Sequence, residues 1–148
     1  KEGDPILRKK SRPIENIDDR IKQLAADMVE TMHAANGCGL AAVQVGVLRR
    51  VVVIEVEEGK VSELINPKII AFAGEQQEQE GCLSNPGEYG LTKRPKAVTV
   101  RATDRHGNEF DVSGTDLLAR AICHECDHLD GKLYTDVQIR PLTDKDFK

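Results

Sequence analysis

The stretch Thr115-Asp116-Leu117-Leu118-Ala119-Arg120-Ala121-Ile122-Cys123-His124-Glu125-Cys126-Asp127-His128-Leu129-Asp130-Gly131 carries the pattern on which the fold turns. Its apolar spacing predicts a helix from a Ser113 or Thr115 cap to about Asp130, with Gly131 as a left-handed terminator. Within it stands His124-Glu125-Cys126-Asp127-His128, an HExxH pattern. Residues four apart share a helix face, so both imidazoles reach one metal while Glu125 points into the space beside it. At roughly 100° per residue from Arg120, His124, His128, Leu117 and Ala121 fall at roughly 40 to 100°, and Glu125, Leu118, Ile122 and Leu129 at roughly 140 to 200°. Arg120, Cys123, Asp127 and Asp130 occupy the opposite sector, so the histidines and glutamate belong to the apolar, inward side. A buried carboxylate and two buried imidazoles need partners, and a divalent cation with its water supplies them.

A third ligand does not follow from the helix alone. His128-Leu129-Asp130-Gly131-Lys132-Leu133-Tyr134 has the metzincin spacing, with Tyr134 where a third histidine would stand, and no Glu follows Glu125. The ligand therefore comes from upstream or from one of the last aspartates. Upstream, Cys82 lies in Glu80-Gly81-Cys82-Leu83-Ser84, and a thiolate suits a transition metal that already has two imidazoles. Three protein ligands leave a position open for water, the mark of a catalytic site. Cys123-x-x-Cys126 is a CxxC, but on the wheel it faces away from the histidines and reads as packing or semi-exposed thiols.

Working outward, Ile21, Leu24, Ala25, Met28, Val29 and Met32 recur at helical spacing after Asp18-Asp19 and before Asn36-Gly37, which predicts an N-terminal amphipathic helix. Strands are expected at 51–56, 64–73, 97–103 and 109–112, with turns at Glu57-Glu58-Gly59-Lys60 and Asp104-Arg105-His106-Gly107-Asn108. The polar run 74–80 reads as an exposed bend. The order helix, several strands, helix predicts a single α+β domain with antiparallel pairing.

Composition limits the alternatives. With 21 Lys plus Arg against 25 Asp plus Glu the net charge is −4, which lacks the basic excess of a nucleic-acid binder. No apolar run approaches the roughly 18 residues of a membrane span, and no signal-peptide pattern is evident, so a cytoplasmic address is expected. Four cysteines, Cys38, Cys82, Cys123 and Cys126, are too few for a disulfide scaffold at this length. Aromatic residues at 3% imply an aliphatic core.

Gly37, Gly39 and Ala42 fit G-x-G-x-x-A, but a helix precedes them and a strand follows, the reverse of a dinucleotide site. The segment reads either as a small-residue loop that admits a ligand close to the backbone, with Gln44 as its polar side chain, or as a packed turn with a solvated glutamine.

Taken together, Gly37-Cys38-Gly39-Leu40-Ala41-Ala42-Val43-Gln44, Glu80-Gly81-Cys82-Leu83-Ser84 and His124-Glu125-Cys126-Asp127-His128 resemble the three signature motifs of peptide deformylases, in order. The resemblance extends to Gly3-Asp4-Pro5-Ile6-Leu7-Arg8, to 90–95, and to His128-Leu129-Asp130-Gly131 with Asp136; Asn85 and Cys123 depart from the usual residues. It implies antiparallel sheets packed around a central C-terminal helix carrying HExxH, in a single catalytic metallohydrolase domain over residues 1–148, and hydrolytic removal of formyl from N-formylmethionyl nascent polypeptides, releasing formate. It implies a metal held by Cys82, His124 and His128, with Glu125 moving the proton. It also implies an oxyanion bound by the Gln44 amide and the Leu83 backbone N–H, substrate backbone held at Gly39 and Leu40, and a methionine pocket near Leu117 and Ala121. The metal expected is Fe2+, with Zn2+, Ni2+ or Co2+ able to substitute. Expected partners are formylmethionyl peptides and, transiently, the ribosome, with the chain a monomer in a bacterial-type cytoplasm or in an organelle should a transit peptide have been removed. The competing readings are a zincin-type endopeptidase and a non-catalytic metal-stabilised domain.

Overall fold

The computed structural model describes residues 5–57, 59–82, 85–133 and 138–141, with backbone alone at 79, 81–82, 85–89 and 138–141. Helix α1 spans Asp19–Ala34. Asp18 caps it by accepting a hydrogen bond from the Ile21 N–H at 3.1 Å, and the helix buries Ala25, Met28 and Met32. Strands β1 (Gly39–Ala41), β2 (Val51–Ile54), β3 (Ser62–Ala73), β6 (Ala97–Thr103) and β7 (Glu109–Thr115) form one antiparallel sheet in the order β1-β2-β3-β6-β7. Strands β4 (Gln76–Cys82), β5 (Asn85–Arg94) and β8 (Gln138–Pro141) form a second in the order β4-β5-β8.

The unbroken apolar run of β2 follows from its position. Side chains alternate along a strand; Val52 and Ile54 join the cluster containing Ile122 and Leu129 of the C-terminal helix, while Val51 and Val53 join Met28 and Met32 of α1. The strand is covered on both faces, so neither face needs polar residues. β1 repeats the division, with Ala41 in the first cluster and Leu40 in the second.

Helix α2 spans Asp116–Leu129 with Thr115 as its N-cap, and it packs against β1, β2, β6, β7 and β5. It is buried nearly all round: Ala119, Ala121, Ile122, Cys123, His124, Glu125, Cys126, His128 and Leu129 are all inside. The sector holding Cys123 is thus not a solvent face, because the second sheet covers it. Cys123 and Cys126 are 5% and 8% exposed.

Expectation and structure differ most between residues 74 and 94. The polar run expected to bend at the surface is instead strand β4, with Gln76 and Glu80 buried. Both have inward partners: Gln76 Nε2 donates to the carbonyls of Pro95 (2.9 Å) and Asp116 (2.8 Å), and its Oε1 accepts from Arg120 (3.0 Å). The strand is therefore held by hydrogen bonds rather than by apolar burial. At the hairpin after β6, Asp104 accepts from the N–H groups of His106 and Asn108 at 2.8 and 3.0 Å, and Gly107 supplies the left-handed residue (φ 86°).

Candidate metal centre

Two imidazoles converge on the inner face of α2. His124 Nε2 and His128 Nε2 lie 3.2 Å apart, with ring centroids separated by 4.9 Å and planes at 65°. Donor atoms of His124, Glu125 and His128 fall within 4.8 Å of one another, and all three residues are buried. Bonds of about 2.0–2.1 Å from two nitrogens to one tetrahedral cation place those nitrogens roughly 3.3 Å apart, so the observed separation fits a metal held between them. Glu125 Oε1 is buried with no hydrogen-bond partner among the described residues, an acceptor that a cation's water satisfies.

The electrostatics agree with that use. Burial, then the nearby His124, lowers the pKa of His128 to about 3, which keeps the imidazole neutral and its lone pair available. Burial pushes Glu125 up to about 7, the range in which a carboxyl group both accepts and returns a proton near neutrality.

His124 is oriented from behind. Its Nδ1–H donates to Glu80 Oε1, which leaves Nε2 as the lone-pair nitrogen facing His128. Glu80 in turn accepts from Thr92 Oγ1 at 2.7 Å and from Arg94 Nη2 at 2.7 Å, and Arg94 Nη1 donates to Asp127 of α2. Burial alone would raise the Glu80 pKa, but the hydrogen bonds from His124 and Arg94 outweigh it and hold the carboxyl at about 2. Glu80, Thr92, Arg94 and Asp127 had no assigned role in the sequence. Glu80 lies in the quoted motif, and its one available signal was an acid two residues from the candidate ligand Cys82.

The other expected residues are placed as follows. Gln44 follows β1 in a 3-10 turn over Ala42–Val45, and its Oε1 accepts from the Ala41 N–H at 2.9 Å, which fixes the direction of the amide. Gly39 lies against the Glu125 carboxylate on β1, the edge strand of its sheet. Leu40 sends its side chain into the α1 core, leaving only backbone for a ligand. Ala121 is buried, and Leu117, one turn before it, is 42% exposed. The backbone of Cys82 ends β4 opposite Asn85, whereas its side chain, Leu83, Tyr134 and Asp136 lie outside what the structure describes. Burial pushes the Cys123 and Cys126 thiols up to about 11 and about 12, so both stay protonated.

The sequence profile of the polypeptide deformylase family matches residues 1–144. The chain belongs to that family. It is 56% identical over 147 residues to the peptide deformylase of Acetivibrio thermocellus, covering 99% of this chain and 86% of that protein. It is 59% identical over 138 residues to that of Finegoldia magna, covering 91% and 85%. Among solved structures, a peptide deformylase from Synechococcus elongatus in complex with actinonin superimposes with a TM-score of 0.89 at 42% identity, covering 92% of this chain and 77% of that one. One from Legionella pneumophila gives 0.89 at 40% identity over 97% and 84%. The α+β architecture with its antiparallel sheets and C-terminal helix is the deformylase architecture. Deformylases are metal-dependent hydrolases acting on formylated nascent peptides, and this membership sets aside the endopeptidase and non-catalytic readings.

Proposed function

We propose that this chain deformylates nascent polypeptides as a single metallohydrolase domain over residues 1–148, with Cys82, His124 and His128 holding the metal, Fe2+ foremost and Zn2+, Ni2+ or Co2+ as substitutes. The observation that carries the reading is the pair of Nε2 atoms 3.2 Å apart with Glu125 beside them on the helix that bears HExxH. Support for Cys82 is positional: it lies two residues along β4 from Glu80, the partner of His124. A divalent cation bound there supplies Lewis acidity and makes water deprotonate near neutral pH instead of 15.7.

Glu125 takes a proton from the water whose oxygen attacks the formyl carbon. It returns that proton to the amine nitrogen as the C–N bond breaks, giving formate and a free N-terminus. Gln44, its amide oriented by the Ala41 N–H, donates to the developing oxyanion together with the Leu83 N–H. The substrate backbone adds alongside the edge strand β1 at Gly39 and Leu40, an extended mode of peptide recognition. Ala121 and the exposed Leu117 line the methionine pocket. The enzyme works as a bacterial-type cytoplasmic monomer with transient access to the ribosome; no helix among the described residues is long and apolar enough to cross a membrane.

The test is formate release from formyl-Met-Ala at matched metal content. Glu125→Ala is expected to lose about 100- to 10,000-fold in kcat. Equal rates in the two proteins would remove Glu125 from the mechanism, and absence of release by the iron-loaded wild type would overturn the assignment. Cys82→Ala should lose the metal, and retention at full stoichiometry would exclude Cys82 as a ligand.

A further inference from the structure

Gly39 has an unexplained identity. Its backbone is not left-handed, for its φ is not among the positive values seen at Gly46, Gly59, Gly74, Gly107 and Gly131. Its strand register is ordinary: Gly39 pairs opposite Ile54 in an antiparallel ladder that any residue adopts. A glycine here is therefore not required by the conformation of its own chain, and glycine in a strand loses packing and conformational entropy.

Contact supplies the reason. A Cβ on Gly39 would stand 2.6 Å from Glu125 Oε2, 3.0 Å from Cγ and 3.1 Å from Cδ. All three are atoms of one side chain, which is 4% exposed on a helix anchored on both sides. The end of the Glu125 side chain thus occupies the space that a Cβ on Gly39 would take and is bounded there by β1. We propose that Gly39 is a positioning residue for Glu125: the edge strand acts as a stop that sets where the proton-transferring carboxylate sits, and the absent side chain is the seat. This rests on the proposed role of Glu125 and adds a function for Gly39 distinct from contact with the substrate backbone.

The two roles make opposite kinetic predictions. Gly39→Ala forces Oε2 to retreat from 2.6 Å toward the roughly 3.4 Å of ordinary contact. A misplacement approaching 1 Å at a catalytic group costs about 100-fold in rate. Positioning therefore predicts a kcat loss of about that size, with KM for formyl-Met-Ala and metal content near wild type. A role confined to holding substrate predicts a raised KM with kcat retained, and that result would overturn the proposal.

A double-mutant cycle gives a readout independent of turnover. Glu125→Asp shortens the side chain by one methylene and withdraws the carboxylate from the added methyl group. In metal-free protein, Gly39→Ala should lower Tm in the wild-type background and lower it distinctly less in the Glu125→Asp background. Equal losses in the two backgrounds would overturn the proposal. Should Gly39→Ala fail to fold, the double variant must fold, and failure of both overturns it as well. Full activity of Glu125→Ala would instead remove the mechanism on which the inference rests, a result separable from any behaviour of Gly39.

Discussion

The two environments of helix α2 differ in kind. On one side Ile122 and Leu129 share an aliphatic cluster with Val52, Ile54, Leu64 and Val100. On the other, β4 and β5 meet the helix through Glu80, Thr92, Arg94, His124 and Asp127, joined by hydrogen bonds and ion pairs. Apolar contact is non-directional, so it holds the helix in place without fixing any one side-chain torsion tightly. The polar side is directional: it selects the tautomer and ring plane of His124 and is costly to leave half satisfied. One side supplies most of the burial, and the other aims the ligand.

Removing Glu80 should break this contrast most severely. Glu80→Ala leaves Arg94, 5% exposed, with Asp127 as its remaining carboxylate and takes the acceptor from His124 Nδ1. Truncating one partner of a buried ion pair costs about 3–5 kcal/mol, and losing the partner behind a metal-binding histidine lowers metal affinity about 10- to 100-fold. Urea unfolding of the metal-free protein and competition with a chelator measure the two effects separately. A Glu80→Ala variant that keeps wild-type metal affinity would show that the polar side only stabilises and does not aim.

Ile122→Val is the counterpart on the aliphatic side. Ile122 is fully buried, and deleting one methylene there should cost about 0.5–1.5 kcal/mol. Metal affinity and kcat should stay at wild-type values while the protein is folded. A loss of metal affinity comparable to that of Glu80→Ala would mean that the apolar cluster also sets ligand geometry, and the distinction between the two sides would collapse.

The same contrast explains what was legible before the fold was known. The α2 pattern and the strands expected at 97–103 and 109–112 announce themselves through apolar periodicity or turn residues, and the second runs on to Thr115 in the structure. Matching of the three short motifs brought Gly39, Gln44, Glu125 and the histidines into one hypothesis. β4 stayed hidden because its inward positions Gln76 and Glu80 are polar, and polarity in a single sequence reads as surface. Their burial is justified only by partners far along the chain, Arg120 for Gln76 and His124 for Glu80, 44 residues away in each case. Likewise the wheel left Cys123 and Cys126 between packing and partial exposure, because a helical wheel does not show what covers the side away from the histidines; both are buried. What hydrophobic burial organises could be read; what pairwise polar geometry organises could not.

A hydrogen-bonded surface carboxylate supplies the smallest effect and a calibration for the buried network. Glu55 Oε2 accepts from the Gly59 N–H at 2.9 Å, and Oε1 pairs with His33 Nε2 at 2.5 Å. The Gly59 hydrogen bond first, then His33, lowers the Glu55 pKa below 4.5. A lowered carboxylate pKa means that the folded state binds the ionised form better. The stabilisation is therefore complete above 4.5 and disappears as pH falls through the folded-state value. Glu55→Gln should melt slightly below wild type at about pH 7, and the gap should close as pH falls through the lowered folded-state value. If the gap instead persists in acid, Glu55 contributes through packing rather than charge. The pair at the surface would then differ from the Glu80 network in mechanism, not only in the depth at which the same electrostatics act.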